Sequence, residues 1–275
     1  MLLSKTSWTG FPARLLLAGM LFVGSPSMAL AADTDGDGIP DDVEVTEGRN
    51  PGLKDNDVFT SNRLFAMQQY RDFLGREGDA GGITFYTDLL TAGTLVRANV
   101  VENFFNSPEF SGTVSPIVRL YFATFLRIPD YGGLQFQVNA YRAGTPLTVI
   151  ANNFSASPEF QARYGALSDA QYVVLLYQNV LGRTPVQGEI DFHVARLTSG
   201  ATRGEVMTGF SESPEYQANT FNEVYVTMMY VGMLRREPEQ GGFDFWLNYM
   251  DTGNPGINLI LGFLNAPEYR NRFLP

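Results

Sequence analysis

Residues 33–44 of this 275-residue chain read Asp-Thr-Asp-Gly-Asp-Gly-Ile-Pro-Asp-Asp-Val-Glu. Calcium takes six to eight hard oxygens, and a 12-residue loop supplies them from positions 1, 3, 5, 7, 9 and 12. In that register Asp33, Asp35 and Asp37 offer carboxylates, Ile39 its backbone carbonyl, Asp41 a water-bridged carboxylate and Glu44 both of its oxygens. Gly38 falls at position 6, where the loop turns sharply. Magnesium suits the pattern less, because it prefers fewer protein ligands in strict octahedral geometry. The competing reading is a solvated acidic tail. Against it stand the matched ligand positions, the glycine at the required place and Pro40, a residue suited to opening a helix. Asp55, Asn56 and Asp57 follow closely and read equally well as outer ligands or as linker.

Other chemistry is sparse. The chain has no cysteine, which removes disulfides, thiolate metal sites and cysteine nucleophiles, and its one histidine is His193. Four Pro-Glu carboxylates, Glu109, Glu159, Glu215 and Glu268, raise the question of acid–base catalysis. They recur at a regular interval, so they read instead as first-turn acids of helices, available to pair with the arginines Arg76, Arg127, Arg183 and Arg236. A hydrolase would need a pocket holding two acids outside that pattern, such as Asp191 or Asp244. No phosphate-cradling glycine loop and no nucleophile elbow is visible.

The elements that must position the loop come next. Lys5 and Arg14 carry the only charges before Asp33, Leu15 to Val23 is apolar, and Ala29-Leu30-Ala31 supplies small residues for cleavage. That order predicts a signal peptide over 1–31 and export, with no membrane insertion after cleavage, because the apolar run is shorter than the roughly 20 residues a spanning helix needs. Val224 to Leu234, the longest strongly apolar stretch beyond it, suits a buried helix. Formal net charge is −10, which excludes nucleic acid as a natural partner. Residues 33–57 alone hold nine acids against Arg49 and Lys54, a net −7.

The remainder is one unit written four times. Tyr70, Tyr121, Tyr177 and Tyr230 are each followed after six residues by an arginine and after eleven by a glycine. After fifteen comes a phenylalanine (Phe85, Phe136, Phe192, Phe245), and after twenty-three a second glycine (Gly93, Gly144, Gly200, Gly253). Each block closes on Phe104, Phe154, Phe210 or Phe263 and a Ser-Pro-Glu or Ala-Pro-Glu signal. Such fixed-interval self-similarity marks a repeat architecture. Apolar residues at helical spacing, for example Ile83, Tyr86 and Leu90, predict an all-α fold of four tandem repeats of about 50 residues, packed on one another. The boundaries are 32–57 for the acidic calcium loop and 58–112, 113–162, 163–217 and 218–275 for the repeats. Aromatic residues at repeat positions read as core, and His193 as a packing variant in the slot of Tyr86, Gln137 and Trp246.

The block of Leu-Gly-Arg, Pro, Gly, aromatic, Gly and terminal Ser-Pro-Glu-Phe resembles the bacterial domain of unknown function 4214 family over residues 58–275. That family is in turn similar to the helical linker polypeptides of phycobilisomes. Val186, Glu189, Gln137 and Ala266 are local departures. A full EF-hand has an entering helix, whereas here the expected cleavage site lies immediately upstream, so the acidic segment resembles the loops of dockerins and thrombospondin type 3 repeats more than a paired EF-hand. The resemblance implies a helical module of secreted or surface bacterial proteins without an established activity. The resulting expectation is a secreted or cell-surface protein, with the periplasm also compatible. It would be non-enzymatic and calcium-binding, serving matrix or adhesion-type interactions with a protein or surface polysaccharide. A carbohydrate- or peptide-binding module is the alternative, followed by a carboxylate-dependent hydrolase.

Overall fold

The computed structural model describes residues 32–273, so the signal peptide expected over 1–31 lies outside the described residues. Among the described residues there are helices and no β-strand. A short helix α1 (Asp41–Glu47) follows the acidic loop. The first repeat holds α2 (Asn62–Gln69), a π-helical turn (Tyr70–Leu74), α3 (Ala80–Thr91), α4 (Arg97–Phe105) and α5 (Pro108–Thr113). The second holds α6 (Ser115–Phe125), α7 (Tyr131–Arg142), α8 (Leu147–Ser155) and α9 (Pro158–Tyr164). The third holds α10 (Asp169–Leu181), α11 (Gln187–Thr198), α12 (Arg203–Ser211) and α13 (Pro214–Asn219). The fourth holds α14 (Phe221–Met229), a second π-helical turn (Tyr230–Leu234), α15 (Gln240–Asp251), α16 (Ile257–Asn265) and α17 (Pro267–Asn271).

Local chemistry sets these boundaries. Ser107, Ser157 and Ser213 each accept the backbone N–H three residues on, with proline in the first turn behind them. Ala266 replaces that serine in the last repeat and provides no side-chain cap. The first helix of each repeat ends on a residue with positive φ: Gly75 and Gly182, but Leu126 (48°) and Arg235 (53°) in the other two repeats. Positive φ costs a side-chain-bearing residue energy, so glycine is the preferred residue at this point.

Each repeat is locked by the same aromatic group. The tyrosine meets the closing phenylalanine edge-on at 4.7–4.8 Å in all four, as in Tyr70–Phe104 and Tyr230–Phe263. The repeat arginine lies over the tyrosine ring, 4.7 to 5.4 Å from its centre. Arg76, Arg127 and Arg236 then grip Glu109, Glu159 and Glu268 through two nitrogens at 2.6–3.1 Å. The third repeat breaks the rule. Arg183 binds Glu189 instead of Glu215, at 2.6 and 2.8 Å. The cause is sequence-local: the position of Glu189 is glycine in the other repeats. There a Cβ would lie 2.0–2.8 Å from the tyrosine hydroxyl, as at Gly82, Gly133 and Gly242.

The aromatic expectation needs correction at one position. Phe85, Phe136, Phe192 and Phe245 are 57–65 % exposed, on the outer faces of α3, α7, α11 and α15. The phenylalanines that close each repeat are buried as expected. His193 sits half-buried among Tyr177, Phe192 and Phe210, the environment of a packing residue.

The four repeats do not form an open row. The α8 and α12 helices pack together where Gly204 meets the backbone of Thr148 and Asn152. The α4 and α16 helices pack likewise, bringing the first repeat against the last. There the two π-helical turns touch, Gly232 lying against the Phe73 ring, and Phe105 meets Tyr225 at 4.5 Å. One hydrophobic core runs through all four repeats, and the buried stretch Val224–Leu234 belongs to it.

Candidate metal centre

The acidic loop folds on its own carboxylates. Asp33 accepts the amides of Gly36 and Gly38 at 2.9 and 3.1 Å, Asp35 that of Asp37 at 3.0 Å, and Asp37 that of Ile39 at 2.9 Å. Gly36 and Gly38 hold φ of 73° and 96°, which permits this coil. Gly38 is also confined from outside, since a Cβ there would come 3.1 Å from the Gln68 side chain.

These turns gather oxygens. One carboxylate oxygen each from Asp33, Asp35 and Asp37 lies within 4.8 Å of the others, and the same holds for Asp37, Glu44 and Asp55. Calcium–oxygen distances are about 2.3–2.6 Å, so oxygens up to about 5 Å apart can share one ion. Glu44 projects from α1 and is 0 % exposed, yet neither of its oxygens has a hydrogen-bond partner. Asp35 Oδ2 and Asn56 Oδ1 are likewise buried without a donor. Burial, followed by the charges of Asp35, Asp37, Asp55 and Asp41, pushes Glu44 up to about 7. Buried polar atoms nearly always find partners. A group of orphaned acceptors with no donor among them therefore fits a hard cation.

The loop is fastened to the repeats from two sides. Ile39 is fully buried with Leu64 and Met67 of α2. Asp37 Oδ2 accepts the amides of Asp55 and Asn56 at 3.0 and 2.8 Å, which brings the following segment back over the loop. The Asn56 side chain donates to the Asp37 carbonyl at 3.0 Å and to Gln68 at 2.7 Å. Gln68 in turn donates to Asp72 at 2.8 Å. Asp72, its side chain 1 % exposed, is gripped by Arg272 at 2.8 and 3.1 Å. A continuous polar chain thus runs from the loop to the end of the last repeat.

Of the residues expected to ligate, Asp33, Asp35 and Asp37 form one group and Asp37, Glu44 and Asp55 a second, the two joined through Asp37, with Ile39 anchored in the same loop. Asp41, expected to reach the ion through water, lies outside both groups, and its oxygens accept the amide and hydroxyl of Thr34, both at 2.7 Å. Asp55 joins the group and is held by Arg49, whereas Asp57 caps the turn at Phe59 and Thr60. Sequence reasoning missed Asp72 and Gln68. The available signal was Asp72 itself, an acid at a repeat position occupied elsewhere by Ala123, Asn179 and Gly232. Asp191 and Asp244 lie exposed on α11 and α15, each hydrogen-bonded to a glutamine one turn earlier at 2.8 Å.

Fold and repeat signature together define an all-α tandem-repeat protein with an acidic loop at its amino-terminal side. The family model described as "Domain of unknown function (DUF4214)" matches residues 55–114, 151–220 and 215–273, and the chain belongs to that family. No curated protein and no solved structure matches the chain.

Proposed function

We propose that this is a secreted, calcium-stabilised helical-repeat protein that supports interactions at a cell surface or in a matrix and catalyses no reaction of its own. The observation that carries the reading is Glu44: a fully buried carboxylate with no donor, facing other acids. Asp33, Asp35, Asp37 and Glu44 would hold the ion, with Asp55 beside them and Ile39 contributing its carbonyl. Calcium would supply the positive charge that the loop lacks. Extracellular modules of this kind bind in the range of about 0.1–1 mM, which suits a structural ion outside the cell. Export is supported by the basic, apolar and small-residue order of residues 1–31. Calorimetric titration of calcium into the chain beginning at residue 32 tests the reading. One site with affinity near that range is expected, and no heat at about 10 mM calcium would refute it.

The exposed phenylalanines favour a second reading, a carbohydrate- or peptide-binding module. One such ring per repeat, at Phe85, Phe136, Phe192 and Phe245, gives a surface that folding leaves unburied. Replacing all four with serine would abolish binding to a polysaccharide or peptide array while leaving the unfolding midpoint in place. Retained binding would remove this reading.

A further inference from the structure

We propose that the groove between the first and last repeats binds a small amphiphilic anion, a carboxylate carried on an aliphatic body. The groove has a volume of about 570 Å³ and lies where α4 meets α16. That is within the range of roughly 300–1,000 Å³ typical of small-molecule sites. Phe65, Leu90, Leu95 and Leu264 line it, and Val96 and Leu261 stand exposed at its edge.

Two cations complete the lining, Arg97 and Arg270. Most arginines of the described residues are engaged by a carboxylate or a carbonyl, as Arg119 is by Glu212 and Arg163 by the Phe125 carbonyl. Among the described residues Arg97 and Arg270 have neither a hydrogen bond nor an ion pair, the charge of Asp57 reaching Arg97 only at longer range, in a protein whose acids outnumber its bases 29 to 19. Each lies over a ring: Arg97 is 4.9 Å from the centre of Phe65, and Arg270 is 5.0 Å from that of Phe59. A cation–ring contact uses none of the N–H groups of a guanidinium as hydrogen-bond donors to an oxygen, and those are the groups that bind a carboxylate through two bonds.

The start of α4 adds to this. Val96 occupies its N-cap position without offering a side-chain acceptor, and the amides of Arg97 and Ala98 meet no acceptor among the described residues. A helix start carries partial positive charge and favours an anion. Tyr269 also lines the groove, its ring 1 % exposed against Phe59. Asn62 donates to Thr91 and Asn265 to the Leu261 carbonyl, which leaves each amide one N–H and its oxygen at the polar rim. The walls of Leu90, Leu95 and Leu264 favour a hydrocarbon body.

Decanoate is the probe, titrated calorimetrically into the calcium-loaded protein, with decanol and decyltrimethylammonium as neutral and cationic controls. Saturable binding of decanoate is expected, with both controls at least about tenfold weaker. Arg270→Gln should weaken decanoate by about tenfold or more. Val96→Asp gives α4 an N-cap carboxylate, so it should preserve or raise the unfolding midpoint while blocking the free amides and repelling the anion. No saturable binding at about 1 mM decanoate, equal binding of decanol, or unchanged affinity in either variant would overturn the proposal.

Discussion

The repeats and the acidic loop handle glutamate in opposite ways. In the repeats Glu109, Glu159 and Glu268 each face an arginine that is itself stacked on a tyrosine. The hydrogen bonds from Arg76 hold Glu109 below the ordinary carboxylate range. Glu44 is more deeply buried than any of these, and burial, followed by the charges of the neighbouring acids, pushes it up to about 7. The same side chain is thus complete within the chain in one region and incomplete in the other. The repeats carry their own countercharge, whereas in the loop only Asp55 has one, from Arg49, and Glu44 has none; the proposed calcium would supply it.

The largest expected effect separates the two regions by their cores. Phe154→Ala, in the buried cluster, should cost about 3–5 kcal/mol in thermal or urea unfolding, with or without calcium. Next, chelation should lower stability by about 2.7 kcal/mol relative to calcium at a hundred times its dissociation constant. Equal melting in calcium and in chelator would break the comparison. Third, Glu44→Gln should abolish the calcium response, yet in chelator the variant should be more stable than the wild type by about 1 kcal/mol, since a buried unpaired charge is gone. A variant less stable than the wild type in chelator would show that Glu44 has a partner of another kind. A double-mutant cycle on Arg127 and Glu159 should give a coupling of about 0.5–1 kcal/mol, the pair being partly exposed. In the third repeat, coupling to Arg183 should be clearly larger at Glu189, which it hydrogen-bonds, than at Glu215, whose charge reaches it without a hydrogen bond. The smallest effect is expected at Phe136, 65 % exposed, where alanine should change stability by no more than about 0.5 kcal/mol.

Much of this architecture was legible in the residues because it depends on local chemistry. The serine caps, the second glycines at positive φ and the repeat register all follow from side chains within a few positions. The Asp33-Asp35-Asp37 spacing was legible for the same reason. The exposure of Phe85 could have been read as well. Ile83, Tyr86 and Leu90 share one helical face, and Phe85, two residues beyond Ile83, points about 200° away from it. Other features depend on residues far apart in the chain. The meeting of the first and last repeats joins Asp72 to Arg272, 200 positions on. The transfer of Arg183 to Glu189 shows how one departure from glycine rewires a repeat, a competition between two acids that spacing alone does not decide.

The most direct test of the loop is a crystal structure grown in calcium, with anomalous differences collected to locate the ion. The expected result is one peak with six to eight oxygens at about 2.3–2.6 Å, including both oxygens of Glu44 and carboxylates of Asp33, Asp35 and Asp37. The contradicting result is no peak at saturating calcium, with Glu44 bonded to water or to a protein donor instead.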